Sequence, residues 1–182
     1  DSDTFSLGLA RTSQRANGWL RTMGLQYSTD DFDVGDTEDR TKLLRPFLSY
    51  SKTQADSPVR ITDGYRLNLK ITGSSENIVS DISMAQVEAS GKFVYALGDK
   101  LRLLGRLDLG HTLVDDFDRL PTSLRFFAGG DSSIRGYKYE TLGPQDDNGD
   151  VIGGESLLVA SVELDYEFRE SWTLAAFVDA GN

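Results

Sequence analysis

Residues Leu124 to Gly143 read LRFFAGGDSSIRGYKYETLG, inside a segment from roughly Thr112 to Gly154 that is too rich in Gly, Asp and Pro for a strand or helix. Ordinary connections run about four to six residues, and unstructured loops longer than about fifteen are usually functional or disordered. Disorder is not indicated, because disordered segments are poor in aromatic and β-branched residues. This stretch contains Phe126, Phe127, Ile134, Tyr137 and Tyr139. The sequence therefore predicts a long loop that packs against a surface.

The segments on both sides of the loop alternate apolar and polar residues with a period of two. After the loop, Val162 and Leu164 share one face of an extended chain, while Glu163 and Asp165 share the other. A helix is excluded, because its apolar positions would recur every three or four residues. About eight such segments of about ten residues occur, the length that a tilted strand needs to cross a bilayer core. They begin near Phe5, Trp19, Leu44, Tyr65, Ala85, Leu101, Leu158 and Trp172.

Two all-β architectures fit this pattern: a soluble antiparallel sandwich and a transmembrane barrel. Three features favour the barrel, namely charges in mid-strand on the polar faces, aromatic residues near strand ends, and connections that alternate between short and long. The longer connections are predicted at Thr29–Lys42, at Gly73–Asp81 and at the long loop. Thr53–Asp63 is longer than a periplasmic turn should be and counts against the barrel.

Composition limits the function. Lys and Arg number 19 against 29 Asp and Glu, a net charge of -10, which argues against a nucleic-acid partner. There is no Cys, and the one histidine, His111, has no Ser, Cys or second His that completes a catalytic set. The run Asp146–Asp150 lacks the spacing of a calcium loop and favours a turn. The acidic run Asp30–Asp39 favours a solvated outer loop. No catalytic residue, metal site or cofactor is predicted.

A family resemblance covers the loop and the two segments after it. Asp116 to Pro144, DFDRLPTSLRFFAGGDSSIRGYKYETLGP, resembles the corresponding loop of the BamA/TamA-type outer-membrane assembly factors, most closely that of TamA members. Arg135, Gly136 and Tyr137 form the RGY signature, which two-partner-secretion transporters share. Glu155–Phe168 (ESLLVASVELDYEF) and Trp172–Asn182 (WTLAAFVDAGN) resemble the strands that come after this loop in the family.

The resemblance implies a Gram-negative outer-membrane barrel of about sixteen antiparallel strands preceded by periplasmic POTRA domains. Residues 1–182 are then expected to be a middle portion of the barrel, without POTRA domains and without the barrel ends. The implied function is non-enzymatic insertion or translocation of other outer-membrane proteins. The implied partners are outer-membrane lipid, client outer-membrane proteins and a periplasm-spanning protein. A two-partner-secretion pore and a porin-like structural barrel stay open as alternatives.

Arg135 is the candidate functional residue. If the loop folds into the lumen, this cation needs a carboxylate partner, since an unpaired buried charge is costly. Glu163 and Asp179 face inward by strand parity, and the family places its signature Arg against acidic groups at matching positions. Gly136 is expected to permit a tight turn and Tyr137 to stack on the wall, while Phe126, Phe127 and Ile134 pack the loop. The alternative is an exposed Arg in a solvated loop.

Overall fold

The chain forms one antiparallel sheet of eight strands in sequence order. The computed structural model describes residues 2–34 and 37–182, so part of the acidic run Asp30–Asp39 lies outside the described residues. The prediction of an all-β antiparallel fold with eight strands is confirmed. The strands are β1 Ser2–Gln14, β2 Leu20–Val34, β3 Thr37–Ala55, β4 Gly64–Ser74, β5 Met84–Ala96, β6 Leu101–Val114, β7 Ser156–Arg169 and β8 Trp172–Gly181.

Helical structure among the described residues is confined to two short 3-10 turns, Glu76–Ile78 and Thr122–Leu124. None of the helices in this part of the chain is long and apolar enough to cross a membrane.

The sheet has one apolar and one polar face, because the paired registers keep the alternation of every strand in step. The apolar face is bare: Leu7 is 69% and Leu9 is 82% exposed. The polar face is covered in part by the long loop. A soluble sheet buries its apolar face, so this exposure indicates that lipid covers it.

Connections at the two ends of the sheet differ in length. One end has the turns 15–19, 56–63, 97–100 and 170–171, and the other has 75–83 and the long loop 115–155. The prediction that Thr29–Lys42 is a connection is wrong. β2 and β3 continue through most of it and pair as far as Val34 and Thr37. Polar side chains suggested a loop there, but Asp30 and Thr41 face the long loop and are hydrogen-bonded to it, so the strands keep polar residues at buried positions.

The 56–63 turn is long because it reaches across the sheet. It joins β3 to β4, yet Arg102 of β6 donates a hydrogen bond to the Ile61 carbonyl at 2.8 Å, and Arg60 pairs with Glu167 of β7. Within the turn, the Thr62 hydroxyl donates to Asp56 and lowers the pKa of that carboxyl to about 2. The length of Thr53–Asp63 therefore reflects a turn that packs across one mouth of the sheet.

The buried apolar residues of the described chain lie between the long loop and the polar face. One cluster joins loop residues Leu120 and Leu124 to Leu43 and Met84 of the wall and to Ile82 of the connection 75–83. A second joins Ala128 and Ile134 to Val159 of β7. The loop therefore forms the core of this part of the protein together with the wall.

Gly110 of β6 gives a test of this packing. A Cβ at Gly110 would lie 2.3 Å from the Phe126 ring, so Gly110→Ala should push Phe126 off the wall and destabilise the protein by about 1–3 kcal/mol. Gly91→Ala is the matched control, because its Cβ would have Leu67 as its nearest neighbour at an ordinary 3.5 Å. The measurement is the urea midpoint of the full-length protein in lipid vesicles. Equal midpoints for the two variants would contradict the packing.

Candidate functional site at the loop tip

The first arm of the long loop lies against strands β2, β3 and β5. Thr41 donates its hydroxyl to the Arg119 carbonyl at 2.8 Å, and the Gln86 amide donates to the Leu124 carbonyl at 2.8 Å. Ser123 reaches Asp30 of β2 at 3.4 Å. These bonds cross from the loop to strands far away in sequence, so the arm is fixed to the wall before the chain reaches the signature residues.

Arg125 joins the two arms of the loop at its neck. Its guanidinium donates to the carbonyls of Leu120 at 2.8 Å, Asp118 at 3.0 Å, Ile152 at 3.1 Å and Phe117 at 3.2 Å. The side chain is buried, and this burial lowers the pKa of Arg125. Three of these carbonyls belong to the outgoing arm and one to the returning arm. Arg125 therefore holds the neck closed, a role that was not predicted from the sequence.

The tip beyond the neck is a narrow hairpin. Ala128 and Leu142 bridge its two sides, and the Gly130 amide donates to the Tyr137 carbonyl at 3.2 Å. Gly136 has a φ of 89°, a left-handed conformation that a glycine adopts at little cost. A Cβ at Gly136 would meet nothing within 4 Å, so it is the backbone conformation that favours glycine here.

Arg135 at this tip makes five hydrogen bonds to β7 and β8. Three go to Asp179: from the backbone N–H at 2.9 Å, from Nε at 2.8 Å and from Nη2 at 2.8 Å. Nη2 also donates to the Ser161 hydroxyl at 3.0 Å, and Nη1 donates to Glu163. The Asp179 side chain is only 3% exposed. The hydrogen bonds that Arg135 donates to Asp179, and then to Glu163, raise the pKa of Arg135.

An aromatic ring completes the site. The guanidinium carbon of Arg135 lies 3.5 Å from the centroid of the Phe177 ring, the geometry of a cation–π contact. We call Arg135, Ser161, Glu163, Phe177 and Asp179 the Arg135 cluster. Ser161 and Phe177 were not predicted from the sequence, although each stands two residues from a predicted carboxylate and so shares its face of the strand.

The remaining predicted residues have different environments. Ile134 is buried beside Val159, Phe126 lies over Gly110, and Phe127 packs against Gly153. Tyr137 was expected to stack on the wall, but its side chain is 56% exposed, and it is Phe177 that packs against the signature arginine. The functional roles of these residues stay predictions.

No catalytic arrangement accompanies this cluster in the described residues. His111 Nδ1 lies 2.8 Å from the Ser156 hydroxyl, but the two are a cross-strand pair on the apolar face. Within residues 2–34 and 37–182 no carboxylate is hydrogen-bonded to His111, and no three His, Asp or Glu side chains are grouped to hold a metal ion. The Arg135 cluster can fasten the loop to the neighbouring strands β7 and β8.

An eight-stranded antiparallel sheet with a bare apolar face and a long loop fixed to its polar face defines a portion of an outer-membrane β-barrel wall. Residues 4–182 match the Omp85 superfamily domain, and the chain belongs to the Omp85 superfamily. The signature residues and both carboxylates that contact Arg135 lie within the matched range.

One curated protein and one solved structure are similar to this chain. The chain is 25% identical over 178 residues to the outer membrane protein assembly factor BamA of Nitratidesulfovibrio vulgaris, a match over 90% of this chain and 22% of that protein. The chain thus spans about a fifth of the curated relative. The crystal structure of BamA from Haemophilus ducreyi lacking POTRA domains 1-3 has a TM-score of 0.82 at 17% identity, over 99% of this chain and 41% of that one. The predictions of a barrel fold and an outer-membrane location are confirmed, and the predicted family is confirmed at the level of the Omp85 superfamily.

A double-mutant cycle tests the Arg135 cluster. Arg135→Ala and Asp179→Asn should each destabilise the full-length protein, and their coupling should be about 0.5–3 kcal/mol, because each removes the other's partner. The control is Arg40 and Asp31, an exposed pair at 3.2 Å whose coupling should be about 0.2–1 kcal/mol or less. Urea unfolding in lipid vesicles measures both cycles. Additive losses at Arg135 and Asp179 would show that the contact contributes nothing.

Arg125→Lys tests the neck of the loop. A lysine keeps the charge but cannot reach four carbonyls with a planar fork, and each buried acceptor left unpaired costs about 1–3 kcal/mol. We expect faster proteolysis and faster amide exchange in the loop 115–155, with the eight strands unchanged. Arg15→Lys, in an exposed turn at the other end of the sheet, is the control. Unchanged exchange in the loop would contradict the role of Arg125.

Proposed function

We propose that this chain is the middle portion of the barrel of an outer-membrane protein assembly factor of the TamA type. It acts without catalysis and without a cofactor. Its clients are autotransporter-like or other outer-membrane proteins, and its partners are outer-membrane lipid and a periplasm-spanning protein. The observation that carries the proposal is the Arg135 cluster, in which a signature arginine of an Omp85 chain makes five hydrogen bonds to the wall.

The cluster gives the loop a bracing role. Asp179 lies on β8, while Glu163 and Ser161 lie on β7, so one guanidinium holds two adjacent strands at a fixed spacing. The tip is also held by β6, where Arg106 donates to the Ser133 carbonyl. Together with the first arm, which contacts β2, β3 and β5, the loop reaches β6, β7 and β8 as well. A wall braced in this way keeps its curvature while a client strand pairs elsewhere in the barrel.

The proposed mechanism has three parts, each tied to a feature of the chain. The bare apolar face contacts lipid, and the braced wall limits deformation to a seam that lies outside residues 1–182. Clients are then inserted at that seam by strand pairing and local bilayer perturbation. The name of the Nitratidesulfovibrio vulgaris relative, an outer membrane protein assembly factor, supports this class of activity.

The test uses the full-length protein in cells that depend on it. Arg135→Ala, Glu163→Gln and the double variant are compared by heat-resistant migration of the protein itself and by the amount of assembled client barrels. We expect each single variant to reduce client assembly several-fold and the double variant to lose no more than the worse single variant, as for residues that act together. Lys138→Ala is the matched control, because Lys138 is exposed at the same tip.

The outcomes separate the candidate functions. Loss of autotransporter assembly alone supports the TamA type, and loss of all outer-membrane barrels supports a general assembly factor. Loss of one secreted protein, with barrel assembly intact, would indicate a two-partner-secretion pore. Unchanged assembly with altered ion conductance would indicate a porin-like barrel and overturn the proposal.

A further inference from the structure

The apolar face carries an unexplained group of cations near the short-turn end of β1 to β3. Arg11 comes after Leu7 and Leu9 on the same face of β1, Arg21 opens β2, and Lys52 stands near the end of β3. We call these three residues the basic patch. Their position is unusual, because cations on a lipid-facing surface are costly except close to the membrane interface.

The strand registers bring the three cations together. Arg21 is paired with Ser13 of β1 and with Tyr50 of β3, so Arg11 and Lys52 each stand diagonally from it, about 7–8 Å away. The Lys52 side chain leans toward the turn that joins β1 to β2, where a Cβ on Gly18 would lie 3.8 Å from its Cε. The patch is therefore one diagonal row across three neighbouring strands.

The patch has no acidic counterpart in the described part of the chain. No ion pair within 4.0 Å links the patch to a carboxylate there, and the outward positions of β1 to β3 beside it carry no Asp or Glu. Arg21 Nε is shielded from solvent and has no hydrogen-bond partner. The protein therefore supplies no acceptor at this atom, and an acceptor from another molecule would reach the Arg21 guanidinium through its outer nitrogens.

The surroundings identify the kind of acceptor. Above the patch are the exposed side chains of Leu7 and Leu9, which acyl chains cover in a membrane. Beside it are Trp19 and Tyr65, the latter with its ring centroid 5.9 Å from Lys52 Nζ. Trp and Tyr concentrate at headgroup level. The short turns 15–19, 97–100 and 170–171 place this end of the sheet on the periplasmic side.

We propose that Arg11, Arg21 and Lys52 bind the phosphate of an anionic phospholipid in the periplasmic leaflet of the outer membrane. A guanidinium binds phosphate oxygens with paired, charge-assisted hydrogen bonds, and Lys52 adds a mobile charge to the same group. The chain as a whole has a net charge of -10, so the patch is a local exception that favours anionic over neutral lipid. This site does not depend on the assembly function.

Trp19 provides the readout, because it lies on the apolar face two residues from Arg21. The full-length protein is placed in phosphatidylcholine vesicles containing phosphatidylglycerol, with the bromine label on one lipid or the other. The quenching that depends on Trp19 is obtained by subtracting a Trp19→Phe variant. We expect brominated phosphatidylglycerol to quench this signal more than brominated phosphatidylcholine at equal mole fraction, and added salt to reduce the excess.

The variant Arg11→Gln/Arg21→Gln/Lys52→Gln should lose the excess, because each cation near an anionic surface contributes about a five-fold preference. Lys42→Gln, an exposed outward cation near the opposite end of β3, is the matched control and should keep it. If the triple variant does not fold, Arg21→Gln alone decides by the same readout.

Equal quenching by both lipids in the natural protein, or an excess that survives the substitutions, would overturn the site. Loss of the excess on adding soluble glycerol phosphate would overturn its assignment to the leaflet.

Discussion

The bonds from Arg135 to Asp179 and Glu163 are the interaction that attaches the tip of the long loop to β7 and β8. A guanidinium among buried groups is stabilised only if its donors are paired with good geometry, and here Nε and Nη2 each find an oxygen of the same carboxylate. The backbone N–H of Arg135 adds a third bond to Asp179, so the position of the main chain is fixed as well as that of the side chain. A lysine would supply the charge without this geometry.

The location of the buried core depends on which face of the sheet the long loop covers. The apolar face of the sheet has no protein to pack against, so the buried apolar residues lie on the polar side, between the wall and the loop. Leu120 and Leu124 bring apolar side chains to a mainly polar face, where they pack against Leu43 and Met84. The loop can remain there because its own polar groups are paired, chiefly through Arg125 at the neck. Apolar burial and ion pairing therefore act on one segment.

Much of this arrangement could be predicted from the sequence, because strand parity is a local property. Alternation put Glu163 and Asp179 on the polar face, and the structure brings both to Arg135. Polarity was a poor guide to strand ends, as the extension of β2 and β3 through Thr29–Lys42 shows. The role of Arg125 could not be predicted, since its acceptors are carbonyls whose positions depend on how the whole loop folds. The contact of Phe177 with Arg135 required knowing how deep the tip reaches.

The long-range contacts of the loop also affect the order in which the protein folds. Every strand pairs with its neighbour in sequence, and apart from β6 and β7, which the loop 115–155 separates, these hairpins close over short stretches of chain. The hydrogen bonds of the loop instead join residues that are far apart in sequence. Arg119 is bonded to a residue 78 positions away, and Ser123 to one 93 positions away. Contacts between distant positions form slowly, because chain entropy is lost before they are made. The loop therefore docks after the strands it touches, and its docked state marks a wall that is already complete.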